Sequence, residues 1–395
     1  MSAVARIGGG LVAVLSSMTL AGVLLVLLGV LTFLGTLEQA EFGLYEVQRR
    51  YFESLYLVHD AGPIGIPLPG GGLVMGLLFV NLLVGGVVRL RKGRRTAGIL
   101  VAHLGMLIML ASGFVEYAKS VDGHVTLYEG DERAWFQSYT ETELAVVELD
   151  ALGRPQREWV FTDDALAGAA PSAPAIVTGL PFELTVTHWF ANADVLPKGP
   201  MFEVAVPVVD GVFARASERD PQAERNAPAA YLEVPDADGG HATGLVWAFD
   251  AAPWTISAGG VRYALDLRKE RYPMPFAVRL DTFTKEDHPG TNMPAWFSSD
   301  VTVTEHASGA DVARPVTISM NQPLREEGLV LYQASWGPQG ARPGQRLFST
   351  LAVVNNPADQ WPLVSCLVIA AGLLVHFGRT LVRYVRREAN REGRA

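Results

Sequence analysis

The chain has 395 residues, of which 49% are hydrophobic and 18% are charged, with a formal net charge of -9 at pH 7. This apolar fraction is too high for an ordinary soluble enzyme, and no basic patch interleaved with aromatic residues supports nucleic-acid binding. The single cysteine, Cys366, excludes an intramolecular disulfide and any cysteine-based metal or c-type haem attachment site.

Four apolar runs predict transmembrane helices, because each approaches the roughly 20 residues needed to cross a bilayer core of about 30 Å. The predicted spans are residues 18–37, 73–90, 97–115 and 362–377. The first run is not followed by an A-x-A cleavage pattern, so we expect a retained helix rather than a signal peptide. The last run is the shortest, and a buried core helix is its alternative interpretation.

Basic residues beside these runs predict the orientation by the positive-inside rule. One cluster lies between the second and third spans and the other follows the fourth span. The two clusters comprise Arg89, Arg91, Lys92, Arg94, Arg95, Arg379, Arg383, Arg386 and Arg387. We therefore expect a multi-pass protein of the cytoplasmic (inner) membrane, surrounded by lipid, with both termini in the cytoplasm. The loop carrying Glu38, Glu41, Glu46 and Asp60 is then expected on the outer face, as is the long region before the fourth span.

Between Val121 and Val354 the hydrophobic pattern has a period of two, which is typical of half-buried strands. The clearest strands are predicted at residues 143–149, 158–162, 182–190, 261–267, 276–283, 299–305, 315–320, 328–333 and 347–354. The sequence therefore predicts a large extracytoplasmic all-β domain, sandwich-like or barrel-like, between the third and fourth helices of an α-helical membrane bundle. Residues 210–238 have little periodicity, and we expect a surface insertion or mobile loop there.

The resulting organisation has three parts. Residues 1–116 form a three-helix transmembrane region, residues 117–361 the β-rich domain, and residues 362–395 the closing helix with a basic tail. No nucleotide-binding or hydrolase motif stands in a suitable context. The acidic pairs Asp163-Asp164 and Asp236-Ala237-Asp238 are interpreted as solvated turns rather than cation sites.

Two histidines lie within the apolar runs, where an ionisable side chain is costly and usually partnered or functional. His103 follows Arg95 by eight residues, about 12 Å along a helix, which places it in the cytoplasmic half of the bilayer. His376 precedes Arg379 by three residues, near the cytoplasmic interface. Because neutral imidazole is an axial ligand of haem iron, haem is the cofactor that these residues favour.

Several alternatives stay open from the residues alone. From position alone, His376 is interpreted first as an interfacial residue that pairs with headgroups or a carbonyl, and the alternative for His103 is a hydrogen bond to a neighbouring helix. A haem held by both would need helix tilting to bring them level, and a histidine from a partner protein is an equal possibility. Asn81 in the second span is interpreted as a helix-packing residue rather than a ligand.

Several stretches resemble the ResB (CcsB) family of System II cytochrome c biogenesis proteins, and the resemblance covers nearly the whole chain. They are residues 17–36 ending in Gly35-Thr36-Leu37, residues 98–105 (GILVAHLG), 125–130, 276–283 (FAVRLDTF), 321–324 (NQPL) and 328–336 ending in YQASW. The last combination is the most specific. Residues 61–72 and 210–238 do not resemble the family.

The resemblance implies a subunit that holds or exports haem b and supports its attachment to apocytochrome c outside the membrane, together with a ResC (CcsA) partner. The family's transmembrane haem-ligand histidine corresponds to His103, and its closing-helix histidine and arginine to His376 and Arg379. The second axial ligand is then expected from the partner. The eight tryptophans are scattered rather than gathered into the partner's haem-binding segment, so we expect no catalytic residue here and a non-catalytic subunit of a cytochrome c synthase (haem lyase) complex.

Three functional hypotheses follow. The first is the haem-handling subunit. The second is a docking or structural subunit whose β domain binds an exported partner, and the third is a respiratory membrane b-haem subunit, which would need histidines at comparable depths on two helices.

Within the β domain, the side chains of Tyr332, Gln333 and Trp336 are interpreted as core residues, with a partner surface as the alternative. His288 and His306 carry no stronger functional signal.

Overall fold

The computed structural model describes residues 10, 12–200, 203–235, 240–250, 252–291, 294–307, 310–342 and 344–392. The chain divides into two compact units. A helical unit combines the part up to Val121 with the part from Asn356 onward, and a β unit comprises Asp122–Asn355. The helical unit is therefore assembled from both ends of the chain.

Four long helices form the helical unit: α1 (Met18–Val47), α2 (Gly71–Asn81), α3 (Ala97–Lys119) and α4 (Trp361–Glu392). A π-helical turn extends α1 over Gln48–Glu53 and another extends α2 over Leu82–Val88. In the described part of the chain, these four helices, with their extensions, are long and apolar enough to cross a membrane. The predicted arrangement of three apolar helices before the β unit and one after it is confirmed.

The first helix is longer than the predicted 18–37 segment and reverses direction. Gly43 has φ 78° and ψ 166°, a left-handed conformation that interrupts α1. A Cβ at Gly35 would lie 3.3 Å from Cγ1 of Val47, twelve residues later, whereas a straight helix would separate them by about 18 Å. The segment after Gly43 therefore folds back along the first part of α1. A short hairpin, β1 (Tyr56–Ala61) with β2 (Ile64–Pro69), then leads into α2.

Small residues allow α3 and α4 to pack with their backbones in close contact. A Cβ at Gly98 would lie 2.6 Å from the carbonyl oxygen of Gly372, and a Cβ at Gly372 would lie 2.5 Å from the backbone nitrogen of Ala102. Ser365 donates a hydrogen bond of 2.9 Å to the carbonyl of Gly105. Such small-residue seams with hydroxyl cross-links are typical of helices that associate in membranes.

The side chain of Asn81 joins α2 to the segment at the start of α1. Its amide nitrogen donates to the carbonyls of Leu15 at 2.8 Å and Ser17 at 2.9 Å. These carbonyls lie where the chain enters α1, and that of Ser17 also accepts from the backbone nitrogen of Ala21 at 3.2 Å, so Asn81 adds a side-chain bond between α2 and the start of α1. This geometry is that of a helix-packing residue.

The β unit consists of antiparallel strands joined by turns. The strands are β3 (Val121–Tyr128), β4 (Glu132–Leu149), β5 (Pro155–Thr162), β6 (Ala175–Val177), β7 (Leu184–Phe190), β8 (Ala193–Pro197), β9 (Val212–Ala216), β10 (Ala229–Pro235), β11 (His241–Trp247), β12 (Trp254–Ala258), β13 (Val261–Asp287), β14 (Pro294–Ala307), β15 (Ala310–Ser319), β16 (Leu324–Glu326), β17 (Leu329–Gly337) and β18 (Phe348–Asn355). All the segments predicted as strands lie within or overlap these strands.

Two sheets pack face to face around the main core. The ten-stranded sheet has the order β15-β14-β13-β4-β3-β18-β17-β16, with β12 paired to β13 and β5 to β4. The four-stranded sheet has the order β11-β10-β7-β6. Leu144 and Leu265 from the large sheet share one buried cluster with Leu184 and Leu232 from the small sheet. This is a sandwich, one of the two arrangements that the alternating sequence pattern left open.

The prediction of a surface loop over residues 210–238 is wrong for the residues of two strands. Strand β9 lies within it, and β10 is a central strand between β7 and β11 in which Ala229, Ala230, Tyr231 and Leu232 are fully buried. A strand buried on both faces loses the alternation of apolar and polar residues, which explains why the sequence pattern misses it. Asp236 and Asp238 lie outside the described residues.

Candidate functional site

The end of α2 positions a carbonyl against His103 of α3. The π-helical turn Leu82–Val88 ends α2, and the last carbonyls of a helix have no partner within that helix. Nδ1 of His103 lies 2.8 Å from the carbonyl oxygen of Gly86. Because a carbonyl can only accept, the ring proton of the neutral imidazole is on Nδ1. Nε2 therefore carries the free lone pair.

Gly86 is needed for this close approach. A Cβ at position 86 would lie 2.8 Å from Nδ1 and 3.1 Å from Cγ of His103, so any larger residue would displace the imidazole. His103 itself is partly buried, and within the described residues its only hydrogen bond is the one to Gly86. One side of the ring is thus fixed by the backbone, and Nε2 is free of hydrogen-bond partners.

His376 lies on a different flank of α3. Its backbone nitrogen would be 2.6 Å, and its Cβ 2.9 Å, from a Cβ at Gly98, so it sits on the seam between α3 and α4. Gly98 and His103 are five residues apart on α3, which turns them about 140° away from each other. Among the described residues, no hydrogen bond or ring contact joins the two histidines. The ring of His376 instead packs edge-on against Phe377, with centroids 5.3 Å apart.

The environment of His103 fits an axial ligand of a haem iron. Metal-ligating histidines donate their second ring N–H to a carbonyl or carboxylate, which sets the tautomer and the ring orientation, and the Nδ1–H···O=C bond to Gly86 has this form. Within the part of the chain that the structure describes, the ring of His376 has no such bond. The structure therefore distinguishes two residues that the sequence treats alike.

A second polar cluster, absent from the sequence predictions, lies where α1 folds back. Oε1 of Glu38 is 2.7 Å from Oη of Tyr51 and 2.7 Å from Nδ1 of His59. Arg50 forms ion pairs with Glu38 at 3.3 Å and with Asp60 at 3.2 Å. The side chain of Glu38 is 12% exposed and Tyr51 is fully buried. The one signal in the sequence is a glutamate directly after the first apolar run.

Of the three residues singled out in the late strands, Gln333 and Trp336 are partly buried in the β unit. Tyr332 is 38% exposed, so its interpretation as a core residue is wrong. Gln333 accepts from Ser299 at 2.6 Å and donates to Ser349 at 2.8 Å. Trp336 stacks on Phe283 with centroids 5.6 Å apart, and the ammonium of Lys285 lies 4.7 Å from its ring. These contacts account for the motif as a structural element of the sheet.

Three further residues of the β unit were considered from the sequence: His288, His306 and Asp163. His288 follows the end of β13 in an exposed turn, and the side chain of His306 is not among those described. Asp163 begins a single helical turn, where burial and the nearby carboxylates of Glu141 and Asp164 raise the pKa of its carboxyl group.

One further histidine of the β unit is buried among ionisable groups. His124 stacks on Tyr139 with ring centroids 4.8 Å apart and its Nε2 lies 2.9 Å from Nε2 of Gln137. Its Nδ1 is buried and has no hydrogen-bond partner among the residues that the structure describes. Burial, and next the charge of Lys269, lower the pKa of the imidazole, so the neutral form is favoured.

Comparison with known proteins finds similarity to one family over part of the chain. The model of the ResB-like family matches residues 239–345, a region within the β unit that contains the FAVRLDTF, NQPL and YQASW stretches. The "Cytochrome c biogenesis protein CcsB" of Microcystis aeruginosa is 29% identical over 99 residues. That similarity covers 25% of this chain and 20% of the relative, so the chain spans about a fifth of the curated relative that it matches. Both matches are similarities to ResB-like proteins over part of the chain.

Proposed function

We propose that this chain is a membrane-inserted, haem-handling subunit of a System II cytochrome c biogenesis complex. Two findings support the proposal: the similarity of residues 239–345 to the ResB-like family and the geometry of His103. The geometry of His103 assigns a haem site within the chain, because an imidazole whose Nδ1 is held by a backbone carbonyl on an apolar helix has an Nε2 atom that can bind iron. No residue of the chain is assigned a catalytic role.

Membrane insertion is supported by the four apolar helices and by the basic residues that border them. With the arginines of the α2–α3 loop and of α4 in the cytoplasm, the β unit lies on the outer, periplasmic face. His103 is two turns into α3 from that loop, in the cytoplasmic half of the bilayer. A haem bound there would be at the inner end of a route toward the outer face.

His103 supplies one axial ligand in this proposal, and the complex supplies the other. His103 is partly exposed, so a second membrane protein can approach Nε2 from the surface of the helical unit. A ResC-type (CcsA) partner with its own intramembrane histidine would complete the coordination of haem b. Haem is the prosthetic group that becomes attached to apocytochrome c. The residues of this chain bind and orient it.

His376 remains the alternative ligand within the chain. The flank of α3 that it occupies, and its lack of an orienting hydrogen bond, favour a role in the α3–α4 seam instead. Substitution of the two histidines separates these roles. The prediction is that His103 is required for haem binding and that His376 is dispensable for it.

The experiment is the visible spectrum of the full-length chain, purified alone and with a ResC-type partner, for the wild type, His103→Ala and His376→Ala. The complex should show a b-type Soret band that His103→Ala abolishes and His376→Ala retains. A Soret band unchanged by His103→Ala would overturn the ligand assignment. Loss in both variants would point to ligation by both histidines.

A second measurement separates biogenesis from the competing functions. Cells expressing each variant are assayed for covalent haem in a reporter cytochrome c by haem staining after denaturing electrophoresis. A haem-handling subunit requires His103 for this product. A docking subunit would retain covalent haem in His103→Ala, and a respiratory b-haem subunit would leave the reporter unaffected even when the whole chain is deleted.

A further inference from the structure

A cavity of about 330 Å³ opens between the end of the α2–α3 loop and the second half of α4. Its lining is four arginines and two small or aliphatic residues: Arg94, Arg95, Arg379, Arg383, Gly378 and Val382. Gly378 leaves open space, since a Cβ there would meet nothing within 4 Å. The cavity lies wholly within the helical unit.

The fold brings these arginines together from two distant parts of the chain. Arg94 and Arg95 directly precede α3, while Arg379 and Arg383 are one turn apart on α4. The glycine seam between Gly98 and Gly372 holds the two helices close just beyond the cavity. The guanidinium of Arg379 also donates to the carbonyl of Arg94, which ties the loop to α4. The clustering is therefore part of the packed structure.

None of the four guanidinium groups is neutralised by a carboxylate within the described residues. Arg383 makes only long hydrogen bonds, 3.3 Å to the carbonyl of Arg379 and 3.4 Å to Thr380. Glu388 of α4 is paired with Arg391 instead. Four like charges around one cavity repel each other, and an anion between them would relieve that repulsion while accepting several charge-assisted hydrogen bonds.

Exposed apolar side chains adjoin the charged cavity. Val382 is 50% exposed, and Leu381, Tyr384 and Val385 on the same turns of α4 are more than half exposed. A ligand that satisfies both surfaces carries an anionic head and an apolar tail. Basic pockets between membrane helices on the cytoplasmic side have this composition when they bind phospholipid headgroups.

We infer that the arginine cavity binds the phosphate of an anionic phospholipid, with the acyl chains lying along the exposed apolar surface of α4. The inference depends on the proposed membrane insertion and is independent of haem. The cavity volume is at the lower end of small-molecule sites, about 300–1,000 Å³, which suits a headgroup. The guanidinium groups match the geometry of phosphate oxygens.

The test compares two double variants of the full-length chain. Arg379→Gln with Arg383→Gln removes two arginines that line the cavity. Arg386→Gln with Arg387→Gln removes the same charge from the same helix outside it. Native mass spectrometry in detergent measures the affinity for phosphatidylglycerol, for phosphatidylcholine of the same acyl chains and for inorganic phosphate.

The wild type should bind phosphatidylglycerol in preference to phosphatidylcholine. Since each arginine near an anionic lipid surface contributes about 1 kcal/mol, the cavity variant should bind phosphatidylglycerol at least about tenfold more weakly, and the control variant less than about threefold. Equal losses in both variants would overturn the site in favour of diffuse attraction. Binding of inorganic phosphate as tight as that of the lipid would also overturn it.

The Soret band of the same variants keeps this test separate from the haem proposal. Loss of lipid affinity with an unchanged Soret band in the complex supports a lipid site whatever the outcome at His103. If lipid affinity is unchanged and the Soret band is lost, the cavity serves the carboxylates of haem and the lipid inference is wrong. Folding of each variant is checked by circular dichroism.

Discussion

The carbonyl of Gly86 and Nδ1 of His103 are 2.8 Å apart, and the missing side chain of Gly86 is what admits the ring. Gly86→Ala would place a methyl group within van der Waals distance of the imidazole and displace it. We expect this variant to weaken haem binding by the complex about 10- to 100-fold, the range for the loss of an outer-shell partner of a metal ligand. The measurement is a haem titration followed at the Soret band.

Gly76→Ala is the matched control for Gly86→Ala, because it lies on the same helix and a Cβ there meets nothing within 4 Å. It should titrate as the wild type does. If Gly86→Ala binds haem as tightly as Gly76→Ala, haem binding does not require the hydrogen bond that orients His103 against the carbonyl of Gly86.

Removing the charge of Glu38 should destabilise the segment where α1 reverses direction. Glu38→Gln removes the anion that accepts from Tyr51 and pairs with Arg50. Charge-assisted hydrogen bonds in a site with 12% exposure contribute about 2–3 kcal/mol, so the fold-back segment should open more often. Hydrogen–deuterium exchange of peptides spanning residues 44–61 measures this opening directly. Glu41 is an exposed neighbour, and Glu41→Gln should leave the exchange unchanged. Equal effects of the two substitutions would show that the Glu38 cluster does not stabilise the fold-back segment.

The stability of the β unit should depend strongly on Leu232 of β10, which lies in a stretch that the sequence pattern predicts as a loop. Leu232 is 0% exposed, and Leu232→Ala should cost about 2–5 kcal/mol of unfolding free energy in the β unit through the cavity it leaves. Leu152→Ala, in a turn where the side chain is 77% exposed, should cost less than about 0.5 kcal/mol. Urea unfolding followed by tryptophan fluorescence measures both. Comparable midpoints for the two variants would contradict the central position of β10.

His124 makes the stability of the β unit depend on pH. Its pKa is lower in the folded chain than the ordinary imidazole value of 6.5, so the unfolded chain takes up a proton more readily. The stabilising effect of the neutral ring is therefore fully present above about pH 6.5 and is lost as the pH falls through the folded pKa. Between pH 7.5 and 5.5 the wild type should lose up to about 1 kcal/mol more stability than His124→Gln, which does not titrate.

Urea unfolding at the two pH values is the corresponding measurement. The neighbours of His124 are Gln137, Tyr139 and Lys269; burial raises the pKa of the Tyr139 hydroxyl and lowers the pKa of the Lys269 ammonium. A difference between wild type and His124→Gln that does not change with pH would show that the ring is equally free to protonate in the folded and unfolded chain.

The sequence by itself determined the apolar helices and most of the strands. Long apolar runs and period-two alternation are local patterns, and each reports which faces of an element are buried without reference to distant residues. The third apolar run also placed His103 on α3, and short motifs in the late strands carried the resemblance to a known family. These inferences need only short stretches of chain.

The tertiary structure alone decided which residues meet. Glu38 and His59 are 21 residues apart, and only the reversal at Gly43 and the β1–β2 hairpin bring them to 2.7 Å. Strand β10 escaped the sequence pattern because burial on both faces erases alternation. His103 and His376 look alike in sequence, yet the flank of α3 that each occupies depends on how α2 and α4 pack against it. Contacts between distant segments are set by packing geometry, which local periodicity does not encode.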